Sequence, residues 1–312
     1  MNPVLRSCAL AACVLSSSIA FAASPQRTFV ASTGNDANPC TLIAPCRGFQ
    51  AAIDAVAAGG EVVVADSAGY GAMEIHKSVS VIVPQGVHAG LSPAVGIPLP
   101  GFPGQSTVVL IDITVFDTVV LRGLNVNHQG AVTGGIDWLS ANGGTVHVEN
   151  TIVNGFPNEG LLAAAPGGRL YVKDSIFRNN GFGIYVRGTT SNTRLYADRV
   201  RIENSTKGVT AENNVTATIR DSVISGNDTG VFTSNVTVST DVTLDHCAIS
   251  NNNTAFSLNF AAGHFSDIYI AGSTLHDNGQ TTNAHGPNGR LISLGNNSVH
   301  DIPIFDVTYP LQ

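Results

Sequence analysis

One eight-residue pattern recurs between Val119 and Val299, and it decides what this 312-residue chain can fold into. Its copies begin VVLRGLNV at Val119, VHVENTIV at Val146, LYVKDSIF at Leu170, LYADRVRI at Leu195, ATIRDSVI at Ala217, VTLDHCAI at Val242, IYIAGSTL at Ile268 and ISLGNNSV at Ile292. By subtraction of those positions, successive starts lie 22 to 27 residues apart. A near-constant period of this length marks a solenoid, in which each repeat buries its apolar side only against its neighbours.

Within each copy the first and third residues are apolar, as in Val146/Val148, Leu170/Val172 and Val242/Leu244. The residues between them are mostly polar, which is the period-two signature of a strand with one buried face. The sixth residue is often small (Ser175, Ser222, Cys247, Ser273), and the eighth is always apolar, from Val126 to Val299. The chain therefore turns a corner within the copy and begins a second short strand. Asparagines follow at Asn179-Asn180, Asn204, Asn227, Asn251-Asn252 and Asn278. Asn tolerates left-handed backbone angles, and identical Asn side chains can stack as a ladder. Gly plus an apolar residue comes next, at Gly160-Leu161, Gly183-Ile184, Gly208-Val209 and Gly230-Val231, with Ala255-Phe256 as a variant. That pair opens a third strand. With no helical period between them, these strands predict an all-β fold: a single-stranded parallel β-helix, three short strands per coil, with coils about 4.8 Å apart.

The order strand, Asn turn, Gly-Ile strand resembles the repeat of the pectate-lyase-like superfamily over roughly residues 60–303. The resemblance implies right-handed winding, in keeping with the handedness of parallel crossovers. It is specific for architecture and weak for activity, because that superfamily holds lyases, hydrolases, adhesins and many uncharacterised proteins. The polygalacturonase-type set of Asn-x-Asp, Asp-Asp, His-x-Gly and Arg-x-Lys is absent as a set, and His128-Gln129-Gly130 is a lone partial match. Pectate-lyase-type calcium clusters of several Asp on adjacent coils are not evident either.

Residues 1–22 read as a secretion signal: Arg6, an apolar run over 9–19, and Ala20-Phe21-Ala22 as a small-x-small cleavage site. Leu10-Ala11-Ala12-Cys13 also fits a lipoprotein box, but apolar sequence continues well past Cys13. The expected destination is outside a bacterial cytoplasm, secreted or periplasmic. No other stretch is long and apolar enough to span a membrane. Residues 23–60 are expected to form a cap. A strand at Thr28–Ala31 leads to Cys40 and Cys46, close in sequence and in an oxidising compartment, which predicts a disulfide. Apolar residues at helical spacing follow over Cys46–Val56, ended by Gly59-Gly60. The whole resembles the amino-terminal cap of secreted bacterial β-helix proteins. The β-helix is expected over 61–303. A Pro- and Gly-rich insertion at 84–106 reads as a surface loop, of the kind that walls a groove or merely decorates one. The tail, 304–312, should cover the far end.

The net charge is −7, and −8 once Arg6 leaves with the signal. An acidic chain without a basic cluster argues against nucleic acid or anionic lipid as partners. The outward fourth position of successive copies reads Arg122, Glu149, Lys173, Asp198, Arg220, Asp245, alternating in sign. Such a column is expected to be an ion ladder in which each charge pairs with the coils on either side. It also offers Glu149, Asp198 and Asp245 as carboxylates for acid–base work. Beside it the second position offers His147, Tyr171, Tyr196 and Tyr269, whose ring faces can pack on sugars. His147, Tyr171 and Tyr196 form the candidate binding set with Lys173 and Arg220. Trp138 is either a core plug or a binding aromatic. Cys247, at an inward position, is expected to be a buried, inert thiol.

The sequence thus points first to recognition of an extracellular or cell-wall polysaccharide. A lyase or glycoside hydrolase acting on an acidic polysaccharide is the alternative, and a structural or adhesin-like scaffold a third. No cofactor is expected, Ca²⁺ arising only under the lyase alternative, and no metal ligand set stands out. The oligomeric state is left open.

Overall fold

The structure is a computed structural model and describes residues 24–235, 237–282, 288–300 and 305–309. The expected secretion signal lies outside the described residues. The chain winds as a right-handed parallel solenoid of three sheets that run its length. Among the described residues the first sheet has twelve strands and the other two ten each. In the first sheet the repeat copies pair in register: Val148 with Val172, Val172 with Ala197, Ala197 with Ile219, and Ile219 with Leu244. These side chains are at most 2% exposed, so the first and third positions form one inward stack. Parallel strands stacked this way bury the apolar stripe of each coil against the next, which is why one core extends along the whole solenoid.

Corners are set by backbone that few residue types adopt readily. Between the first and second sheets a single left-handed residue turns the chain, at Asn150, Asp174, Arg199, Asp221 and His246. The Asn corner between the second and third sheets is tied from within. Asn252 Oδ1 accepts the Asn227 amide at 3.0 Å, and Asn278 Oδ1 accepts the Asn252 amide at 3.1 Å. Glycine follows because the coils touch there: a Cβ on Gly183 would stand 2.6 Å from the Gly208 carbonyl oxygen.

At the amino end, Arg27–Val30 is the first strand of the first sheet, and Cys40 is bonded to Cys46. Helix α1 (Phe49–Ala55) follows and buries Phe49, Ala52 and Ile53. It starts later than its apolar spacing suggests. Cys46 is bridged to Val30, and the Arg47 and Gly48 amides both donate to Asp36 Oδ1 at 2.8 Å, which holds them outside the helix.

The stretch 84–106 is not wholly an excursion. Ala89–Leu91 is a regular strand of the second sheet, because its two apolar residues fill inward positions and are fully buried. Ile97–Pro98 then folds back antiparallel on Ser106–Ile111, which lays the remaining strap against the third sheet. In the tail, Val307–Thr308 adds the twelfth strand to the first sheet. Trp138 is core: it is 1% exposed, and its indole N–H donates to Ser140 Oγ at 2.7 Å. The Cys247 thiol is buried, and burial pushes its pKa up to about 11.

Candidate functional site

Residues two apart on a strand share a face, so the second and fourth positions of each coil stand side by side on the outside of the first sheet. Register makes two parallel columns of them. One runs His147, Tyr171, Tyr196, Thr218, Thr243, Tyr269. The other runs Arg122, Glu149, Lys173, Asp198, Arg220, Asp245. Between the columns lies a groove of about 520 Å³ lined by His147, Glu149, Tyr171, Lys173, Tyr196, Asp198, Thr218 and Arg220. Seven of the eight residues singled out from the sequence meet here. Asp245 is the exception, one coil beyond Arg220.

The rings form a stack. His147 lies 4.7 Å from Tyr171, centroid to centroid, and Tyr171 lies 5.0 Å from Tyr196, with planes within 10° and 13°. The rings therefore stack along the solenoid axis, and their faces are largely taken by one another. The expectation that each face could receive a sugar is corrected: Tyr171 presents an edge and a hydroxyl, and Tyr196 keeps one face free toward Thr218. Burial holds the His147 imidazole below the usual histidine range, although Glu149 opposes the shift. A neutral ring stacks without an added charge to desolvate.

The charge column departs from an ion ladder. Arg122 and Glu149 do pair across coils, at 2.7 Å. Asp198 turns away from Lys173 and Arg220 and pairs with its neighbour Arg199 at 2.6 Å, while Arg199 also holds Asp174 at 2.7 Å. Asp245 likewise pairs with His246 at 2.7 Å. The left-handed corner residue explains the difference, since it projects its side chain beside the fourth column and within reach of it. Among the described residues Lys173 makes no ion pair, and Arg220 only a loose one of 4.0 Å to Asp221. Both cations face the groove with donors to spare.

The strap 96–106 does not wall this groove. Its Leu99, Phe102 and Gln105 instead bound a small cleft of about 100 Å³ on the third sheet, with Glu159, Leu162, Tyr185 and Arg187. Glu159 stands in this cleft and Asp137 on the strand paired with its own, and the sequence reading passed over both. Asp137 is fully buried, and neither of its oxygens has a hydrogen-bond partner among the described residues; nor has Glu159 Oε2. The Thr107 hydroxyl on the adjoining strand donates instead to the Val109 and Gly135 carbonyls, at 3.2 and 3.1 Å. Burial, with the charge of Glu159 added, pushes the Asp137 carboxyl well above the usual range, and burial raises Glu159 as well. A signal existed. Asp137 occupies the outward third-sheet column whose neighbours are Leu110 and Leu162, and an acid there breaks the pattern. Among the described residues no three His, Cys, Asp or Glu side chains gather as a metal ion would require.

Comparison with known proteins agrees with this architecture. The family model described as "Right handed beta helix region" matches residues 134–301, more than half of the chain, and the chain belongs to that family. No curated protein sequence matches it. Among solved structures, pectate lyase Pel9A is similar at 16% identity and a TM-score of 0.62, over 87% of this chain and 79% of that one. An alginate lyase from Paenibacillus sp. str. FPU-7 is similar at 14% identity and a TM-score of 0.63, over 91% of this chain and 98% of that one. XylC in complex with xylose is similar at 9% identity and a TM-score of 0.58, over 88% and 70%. At these identities the likeness is one of fold.

Proposed function

We propose that this protein is exported and binds a polysaccharide in the groove of the first sheet. The observation that carries this reading is the convergence of a stacked aromatic column and two weakly paired cations, Lys173 and Arg220, on one cleft. Ring edges and hydroxyls supply apolar contact and hydrogen bonds to a sugar, and the two cations supply donors to its hydroxyls or carboxylates. The polysaccharides named for the similar lyases support a carbohydrate ligand. A purely structural scaffold has no need of an open groove or of cations held as loosely as Lys173 and Arg220. In the same reading, α1 and the disulfide loop close the amino end of the core. The test is a glycan array, followed by Tyr196→Ala and Lys173→Ala. Both should lose binding with little change in melting temperature, and retention of binding by both would remove the groove from the mechanism.

A second reading, catalysis on a glycan that enters the third-sheet cleft rather than the first-sheet groove, draws on Glu159, one of whose carboxyl oxygens is unpartnered among the described residues, and on Asp137 of the adjoining coil, both of whose oxygens are. Carboxyls raised by burial beside a cleft suit proton donation near neutral pH. On this reading the chemistry lies on the third sheet and not along Glu149, Asp198 and Asp245. Product assays on array hits would separate the two: turnover lost in Glu159→Gln but kept in Asp198→Asn places it there.

A further inference from the structure

The aromatic column of the first sheet is interrupted. After His147, Tyr171 and Tyr196 come two threonines, Thr218 and Thr243, and then Tyr269. Tyr196 and Tyr269 are therefore three strand spacings apart, about 14 Å, and between them two rungs carry side chains of three heavy atoms each. Tyr196 ends the stack. Tyr171 covers one of its faces, the other looks across Thr218, and the residue is 39% exposed. The gap opens into the groove, which Thr218 and Arg220 line on the same strand. Arg220 Nη2 comes no closer than 4.0 Å to an acid, Asp221.

From this geometry we infer that Thr218 marks a slot for a single pyranose ring, lying flat on the free face of Tyr196. The inference rests on the groove reading above and sharpens it. Because the rings stack along the axis, their planes lie across it, and a sugar that stacks on Tyr196 must also lie across the axis. A glycan chain whose ring occupies the slot cannot run along the solenoid with one sugar per coil. It crosses the groove, or it ends there. Arg220, two residues beyond Thr218 on the same face, then meets the rim of that ring, and Asp198 stands beside it on the Tyr196 strand. Recognition is confined to about one ring and its substituents. An extended row of subsites, as the length of the column first suggests, is excluded by the stacking of His147 and Tyr171 on each other and on Tyr196.

Calorimetric titration with oligogalacturonates, oligomannuronates and xylo-oligosaccharides, each as dimer and hexamer, tests the slot together with a refilled rung. For whichever series binds, dimer and hexamer affinities should agree within about threefold, since added residues lie outside the slot. Thr218→Tyr should continue the stack, raise the melting temperature slightly and abolish binding, while Arg122→Ala, outside the groove lining, should bind as the unaltered protein does. Undiminished binding by Thr218→Tyr, or a hexamer bound more than about tenfold tighter than the dimer, overturns the slot and leaves the groove reading standing if Tyr196→Ala still loses binding. Binding unaffected by Thr218→Tyr, Tyr196→Ala and Lys173→Ala overturns both, as does the absence of binding by every probe.

Discussion

Asp137 and Glu159 lie on adjacent coils of the third sheet, near enough that the charge of Glu159 raises the Asp137 carboxyl further than burial alone does. Gly134 makes the room: a Cβ there would stand 2.6 Å from Asp137 Oδ2. Leu110 and Leu162 flank Asp137 in register, so the carboxyl sits in an apolar row.

The sign of the resulting pH dependence follows. Both carboxyls titrate higher in the folded protein than in the unfolded chain, where Asp and Glu lose protons near pH 4. Folding therefore binds protons, and stability is fullest below about pH 4 as far as these groups are concerned, then falls as pH rises through the folded values. Asp137→Asn removes the larger part of that fall. Melting curves from pH 4 to 8 should show the variant equal to or below the parent at the acid end and several degrees above it at the alkaline end. Parallel curves would mean that Asp137 has a counter-charge or a bound water in solution.

Asn252 is the tightest link of the Asn ladder. It is 1% exposed, accepts from the Asn227 amide, and donates to the Ile224 carbonyl at 3.1 Å and to Asn278 Oδ1 at 2.9 Å. Asn252→Ala leaves a buried N–H and a buried C=O without partners, each costing about 1–3 kcal/mol. We expect a loss of about 3–5 kcal/mol by urea denaturation, summed from those two groups and the lost side-chain pair. A loss under about 1 kcal/mol would mean that water replaces the amide at the corner.

The architecture was legible because a buried stripe leaves a period. Val148, Val172 and Leu244 recur at fixed offsets whatever surrounds them, and the Gly and Asn corners mark where backbone conformation is restricted. The left-handed residue at the first corner left a weaker trace, since Asn150, Asp174, Arg199, Asp221 and His246 vary in charge and size. That position decided the charge column: Asp198 looks like a partner of Lys173 in a one-dimensional alignment, and only the corner brings Arg199 beside it. The groove set was legible as two columns, but ring orientation was not, because sequence spacing fixes a side chain's face and not its torsions. Asp137 was missed for a different reason. The apolar row that an acid breaks there is formed by Leu110 and Leu162, 27 and 25 positions away, and only strand register brings them beside it.

Cys247 tests how far the inward sixth position is interchangeable. At the same position Ser175 Oγ accepts the Thr151 amide at 3.1 Å and Ser222 Oγ accepts the Val200 amide at 3.1 Å, each from the coil before. Cys247 is a weaker acceptor with a larger atom. Cys247→Ser should be neutral or raise stability by up to about 1 kcal/mol, the worth of one hydrogen bond. In the native parent, thiol labelling should find no reactive cysteine, and denaturation should release one. A marked loss of stability in the serine variant would show that the sulfur fills space the hydroxyl cannot.

Lys173 and Glu149 separate what the charge column does for stability from what it does for binding. Arg122 and Glu149 form a half-exposed pair at 2.7 Å, with side-chain exposures of 46% and 23%. Such pairs contribute about 0.2–1 kcal/mol, less at high salt. Arg122→Ala and Glu149→Ala should each cost roughly that much, and the double variant little more than either single one, because the second change has no partner left to lose. Lys173 has no such partner, so Lys173→Ala should leave the melting temperature within about 1 °C of the parent, a stability change well under 1 kcal/mol. Its effect belongs to the groove: glycan binding should fall when Lys173 is removed and hold in Arg122→Ala, whose charge lies outside the lining. If Lys173→Ala instead destabilises the fold as much as Glu149→Ala does and binds glycan normally, the column is a scaffold of paired charges after all, and the groove loses its best cation.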